Sequence, residues 1–164
     1  MNIQFTGAMT KNIDLFDTIL DGEHILHNKK GEFINLFASF DIYIINNKNV
    51  RSNAFIPPSD ELNIVYNKYR LPTLVNVINN LNPISVVNEG LSPIRIEHKN
   101  FKADNMNQSI FQCCATILNN QDSLEYTVDG LIFTPASFGV GASQPDKQAP
   151  IKKLTWEHSF KWKP

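Results

Sequence analysis

Apolar residues along this chain first gather in two segments, 17–27 and 33–46, and both are rich in Ile, Leu and Phe. Asn28-Lys29-Lys30-Gly31 lies between them and has the polar, glycine-ending composition of a hairpin turn, so the pair predicts two antiparallel strands. The second segment alternates at first, with Phe33, Asn35, Phe37 and Ser39 on one side. It then becomes continuously apolar at Ile42-Tyr43-Ile44-Ile45, a pattern of burial on both faces. Pro57-Pro58 closes this region. Ser59 is placed as an N-cap, with Asp60 and Glu61 in the first turn where negative charge is favourable, and Leu62, Val65, Tyr66 and Tyr69 follow helical spacing. Pro72 interrupts that pattern, and a second helix is expected from about Thr73 to Leu81. Residues 94–102 alternate as a strand. Residues 107–119 read as a helix with Ile110, Phe111, Cys114, Ile117 and Leu118 as its apolar stripe. Two further strands are predicted over 125–134 and 152–163. The Gly-, Pro- and Ser-rich segment from Phe138 to Pro150 is expected to be a mobile loop between them. Strands arranged in hairpins with helices inserted, rather than in strict alternation, point to an α+β fold with antiparallel sheets.

Composition changes this picture little. A chain of 164 residues with 42% hydrophobic and 19% charged residues has room for one domain (1–164) with a sizeable core, and is far from disorder. The apolar runs are too short to span a membrane. The N-terminus is too polar for a secretory signal, so an intracellular location without membrane attachment is expected. Cys113 and Cys114 are adjacent and make no disulfide framework; they read as small apolar residues on a partly buried helix. The four histidines (24, 27, 98, 158) lack the spacing of a metal site, with His24 and His27 on opposite faces of a strand. Gly139-Val140-Gly141 lacks the third glycine and the βαβ context of a dinucleotide fingerprint, and there is no nucleophile elbow of the hydrolase type. Net charge is −1 but uneven. Residues 145–164 carry five lysines against Asp146 and Glu157, which is +3, and the remainder carries −4. A local cationic end on a nearly neutral protein suits a phosphate-bearing ligand better than a broad nucleic-acid stripe.

Five places carry potential chemistry. Asp21-Gly22-Glu23 puts carboxylates and a glycine into a strand, where both are disfavoured; a carboxylate aimed into a pocket can accept from ribose hydroxyls or bind a divalent ion, and a turn or bulge is the plainer alternative. Phe40 can stack on a purine or fill the core. Asp41, beside a buried strand, requires a partner or a function. Asp129, followed by Gly130 and the apolar Leu131-Ile132-Phe133, reads as a metal ligand or as a turn. Lys161 and Lys163 have period 2, so on a strand they share a face while Trp162 points away; two ammonium groups on one face repel unless an anion such as a phosphate lies between them, and an exposed cationic strand end is the plainer alternative.

Taken in order, these elements resemble the catalytic domain of mRNA capping guanylyltransferases, members of the covalent nucleotidyltransferase superfamily. Thr18-Ile19-Leu20-Asp21-Gly22-Glu23 and Phe40-Asp41-Ile42 are similar to two motifs of that family. Asp129-Gly130-Leu131-Ile132-Phe133 is similar to a third, and Lys161-Trp162-Lys163-Pro164 to its terminal one. The stretches around them, including Ala38 to Tyr43 and Thr155 to Pro164, look most like the capping enzymes of large DNA viruses, which implies a viral factory in the host cytoplasm or the virion as location. The resemblance implies that Glu23 contacts ribose or metal, Phe40 stacks on guanine and Asp41 organises the pocket. It also implies that Asp129 binds Mg²⁺ or Mn²⁺ and that Lys161 and Lys163 hold the α-phosphate. The family takes GTP, forms a lysyl-GMP intermediate and passes GMP to the diphosphate 5′ end of RNA.

One departure is serious. The family's nucleophile is the lysine of a Lys-x-Asp-Gly motif, and here Ile19 stands two residues before Asp21. The chain is therefore expected to be a partial guanylyltransferase domain without the nucleophile segment or the closing oligonucleotide-binding domain. By itself it is expected to be inactive, with a chain carrying the missing segment as a possible partner and with apolar surface left exposed. The alternatives are a non-catalytic module that binds GTP or an RNA end, and a fragment of an ATP-dependent polynucleotide ligase. Trp162 and Pro164 favour capping, because ligases usually place an aliphatic residue between the two lysines.

Overall fold

A computed structural model describes residues 8–10, 16–58, 66–83, 94–150 and 156–164. The element order is β1 (Ala8–Thr10), β2 (Ile19–His27), β3 (Phe33–Ile45), β4 (Lys48–Asn49), α1 (Arg70–Asn80), β5 (Leu81–Pro83), β6 (Arg95–His98), α2 (Ile110–Asn119), β7 (Leu131–Phe133) and β8 (Phe160–Trp162). The architecture is α+β, and β3 is its centre. It pairs antiparallel with β2 and with β4, and parallel with β6. Two smaller antiparallel pairs, β1–β5 and β7–β8, complete the described sheets.

The β2–β3 hairpin forms where its sequence pattern places it. Asn28 closes the turn, its Oδ1 accepting from the amides of Lys30 and Glu32 at 2.9 Å each. The expected alternation along β3 does not hold. Buried residues come in pairs, 35–36, 38–39 and 41–42, and Tyr43 to Ile45 are only half-buried. The cause is three slips in register against β2. Ile25 pairs with Leu36 but His27 with Phe33; Gly22 pairs with Ser39 but Asp21 with Asp41; Leu20 pairs with Ile42 but Ile19 with Ile44. Each slip inserts an extra residue in β3, and each extra residue turns the following side chains to the other face. At the first slip Asn35 takes a left-handed backbone (φ 45°), a conformation that Asn tolerates better than most residues.

The parallel β3–β6 pair departs from the all-antiparallel expectation. A parallel neighbour needs a crossover, and α1 lies in that crossover and covers the sheet. Leu74 and Val77 of α1 pack with Ile42 and Val50 to form the core, with Leu20, Ile45, Leu71 and Ile78 around them.

Pro72 does not interrupt a helix. It is the third residue of α1, in the first turn, where a missing amide costs nothing. The free amides beside it are satisfied from the loop after β4: Arg70 N–H donates to Ala54 O (3.0 Å) and Leu71 N–H to Phe55 O (2.9 Å). The helix expected from Ser59, with Asp60, Glu61, Leu62 and Val65, falls outside the described residues; Tyr66–Lys68 form one 3-10 turn.

α2 begins three residues later than expected, because Ser109 and Gln112 form a reciprocal capping box that sets its start. Its buried cysteine is Cys113, whose Sγ donates to Ala103 O at 3.3 Å, while Cys114 is half-buried and Phe111 is 82% exposed. β7 is far shorter than 125–134, since Glu125 is drawn sideways, its carboxylate to Arg95 (2.7 Å) and its carbonyl to the Lys29 amide (2.8 Å). The 138–150 segment is tied down rather than loose. Val140 N–H donates to Arg51 O (2.7 Å), Ala149 N–H to Val140 O (2.9 Å) and Trp156 Nε1 to Ala142 O (2.8 Å). No helix among the described residues is long and apolar enough to cross a membrane.

Candidate nucleotide and phosphate site

The residues singled out by sequence fall into two groups among the described residues. The first lies on the β2–β3 hairpin. The slip at Gly22 makes Phe40 the extra residue of β3, half-buried, between Ser39 and Asp41. A bulge of this kind re-aims the side chains on either side of it, which is why bulges recur beside functional sites. Gly22 is required opposite: a Cβ there would meet the Phe37 ring at 2.6 Å and Ala38 O at 2.9 Å.

Asp41 is buried and has found its partner. Arg70 Nε donates to Asp41 Oδ1 (2.8 Å) and Nη2 to Oδ2 (3.2 Å), a two-pronged ion pair in which the arginine is fully buried. Arg70 Nη1 donates to Asn53 O and to Phe138 O (3.0 Å), and the guanidinium lies 5.3 Å from the Phe55 ring centroid. Burial pushes the Asp41 carboxyl above its ordinary range, and Arg70 and the Ile42 amide pull it back in part. Directly across the ladder, Asp21 accepts from Tyr43 Oη and from the Gly22 amide (3.0 Å). Burial and the Asp21 carboxylate push the Tyr43 hydroxyl well above its ordinary value, which keeps it a donor. Glu23 is exposed and pairs with Lys99 of the segment after β6 at 2.6 Å.

The second group is built by β7 and β8. Ile132 pairs with Lys161 and Leu131 with Trp162, which sets Lys161 and Lys163 toward one side. The anion between them is Asp129. Its Oδ2 lies 2.6 Å from Lys163 Nζ and 3.3 Å from Lys161 Nζ, and all three side chains are about half-exposed. Lys163 and then Lys161 hold the Asp129 carboxyl below its ordinary range, and Asp129 holds the Lys163 ammonium above its own. Gly130 makes the approach possible. It sits at φ 143°, and a Cβ there would lie 1.9 Å from Trp162 O.

Hydrogen bonds and ion pairs join neither Glu23, Phe40 nor Asp41 to Asp129, Lys161 or Lys163 among the described residues; Arg70 holds Asp41 and also the Phe138 carbonyl, five residues beyond β7. An apolar cleft of about 200 Å³ opens between Phe55, Leu71, Phe101, Ile117, Leu131 and Phe133, and none of the six nominated residues lines it. Lys102, Asp104 and Thr134 add polar groups to its lining, but the residues nominated from the sequence lie on or beside the two ladders.

Arg70, Tyr43 and Lys99 escaped the sequence reading. The demand for a cation was legible in Asp41 itself, since a buried carboxylate needs one, but no local spacing names a residue 29 positions away. Comparison with known protein families, with characterised proteins and with solved structures finds no match for this chain.

Proposed function

We propose that this chain supplies the ribose, base, metal and phosphate contacts of an mRNA capping guanylyltransferase, but not its nucleophile. The observation that carries the reading is the pairing of the four motifs. Asp21-Gly22-Glu23 is laddered to the Ala38–Asp41 stretch that carries the Phe40 bulge, and Leu131-Ile132, directly after Asp129-Gly130, to Lys161-Trp162, with Asp129 paired to Lys161 and Lys163 by its side chain. In this reading Glu23 meets the ribose or its metal, Phe40 stacks on guanine, and Asp41 with Arg70 holds the Phe40 bulge in place. Lys161 and Lys163 bind the α-phosphate of GTP, where fixed positive charge stabilises the transferring group.

The implied Mg²⁺ or Mn²⁺ fits only in company with the nucleotide. Among the described residues no three His, Cys, Asp or Glu side chains converge on one point, and Asp129 stands alone against two ammonium groups. Mg²⁺ is commonly held by one or two carboxylates plus substrate phosphates. Asp129 would hold such an ion once a triphosphate is present, and the ion would neutralise phosphate charge.

The lysine that attacks GTP has to come from another segment, and the acceptor is the diphosphate end of an RNA. Calorimetric titration of the chain with GTP and ATP tests the reading. GTP is expected to bind more tightly than ATP, Phe40→Ala to weaken it, and radiolabelled GTP to leave no covalent label on the chain alone. Preference for ATP would point to a ligase fragment. Absence of nucleotide binding would sink the proposal, and covalent labelling of the isolated chain would overturn its non-nucleophilic part.

A further inference from the structure

We propose that Asp129 is the resident occupant of an anion clamp formed by Lys161 and Lys163, and that a polyphosphate binds there by displacing it. This rests on the reading that the lysine pair is a phosphate site. Two ammonium groups on one side of a strand repel, and the structure resolves that repulsion with a carboxylate of the same chain, one oxygen of which faces both (2.6 and 3.3 Å). The three side chains are exposed by 49 to 61%, so a ligand reaches them without any unfolding.

The members of the clamp are not equally fixed. Lys161 belongs to the β7–β8 ladder opposite Ile132, whereas Lys163 follows the last laddered residue, Trp162, and Asp129 precedes the first, Leu131, joined to it by a glycine. Asp129 can therefore turn away while Lys161 keeps its place in the ladder. Exposed ion pairs of this kind are weak, so the occupant is displaceable. A single carboxylate matches a simple monoanion in charge but is outcompeted by a chain of phosphates. The clamp thus closes on itself when empty and discriminates in favour of polyphosphate.

The test uses the full chain, tripolyphosphate as probe, a chelator and low ionic strength. Asp129→Asn is expected to bind tripolyphosphate about threefold more tightly than the unaltered chain, the factor that one exposed ion pair carries. The Lys161→Gln/Lys163→Gln double variant is expected to lose binding. In the unaltered chain the Asp129 carboxyl carbon signal in NMR should move as tripolyphosphate is added. If Asp129→Asn binds equally or more weakly, or if the lysine signals shift while the Asp129 carboxyl stays still, the displacement is wrong and the phosphate role of the lysines survives. If neither the unaltered chain nor Asp129→Asn binds, both the clamp and the phosphate site fail.

Discussion

At the scale of single residues, Asp41 and Asp129 behave in opposite ways, and burial is the reason. Asp41 is enclosed with Arg70, so its charge depends chiefly on that partner, with the Ile42 amide in support. Removing one member of a buried pair strands the other. Arg70→Met is expected to cost about 3–5 kcal/mol in urea unfolding. Arg70→Met combined with Asp41→Leu should recover most of that loss, because no charge is then left buried. Asp129 is exposed, and its pair with the lysines contributes little to stability. Its signature is the titration of the carboxyl. The folded-state value is lowered, so the pair persists as pH falls past the ordinary carboxylate range and is lost only as pH drops through the lowered value. NMR titration should place the Asp129 midpoint below the ordinary one, and Lys161→Gln/Lys163→Gln should return it there.

At the scale of elements, the short β7–β8 ladder depends on a backbone approach that one glycine permits. Gly130→Ala would set a methyl group 1.9 Å from Trp162 O and impose a φ that L side chains rarely adopt. The expected outcome is loss of the β7–β8 pairing and of polyphosphate binding together, with the β2–β3 hairpin intact, read from amide chemical shifts and nuclear Overhauser contacts in each ladder. A chain that kept its Ile132–Lys161 contacts would refute this. The same scale explains β3. Its three extra residues let one strand bury side chains on both faces and present Phe40 at an irregular point of the ladder.

At the scale of the molecule, the core joins β3 and α1, and β6 extends the sheet by pairing parallel with β3. Large apolar side chains remain outside. Phe111 and Met106 are 82% and 97% exposed, and Ile132, Phe160 and Trp162 are also open. Such surface favours self-association in a free chain. Phe111→Glu is expected to change unfolding stability by less than about 0.5 kcal/mol, as for other exposed positions. It should reduce the aggregate fraction in light scattering; an unchanged fraction would place the sticky surface elsewhere.

Local pattern alone was enough to determine the β2–β3 hairpin and its Asn28 turn, the existence of α2, the α+β class and the shared side of Lys161 and Lys163. These rest on side-chain period and turn chemistry, which act over a few residues. It also located the aspartates that need explanation. Only the tertiary structure decided how each is neutralised. Arg70 reaches Asp41 from α1, and Asp129 reaches Lys161 and Lys163 across a strand pair that brings residues more than 30 positions apart together. The slips along β3, the place of Pro72 inside α1 and the parallel β6 were likewise tertiary outcomes. Each depends on which strand or loop lies alongside, and a one-dimensional pattern of apolar and polar residues holds no record of that neighbour.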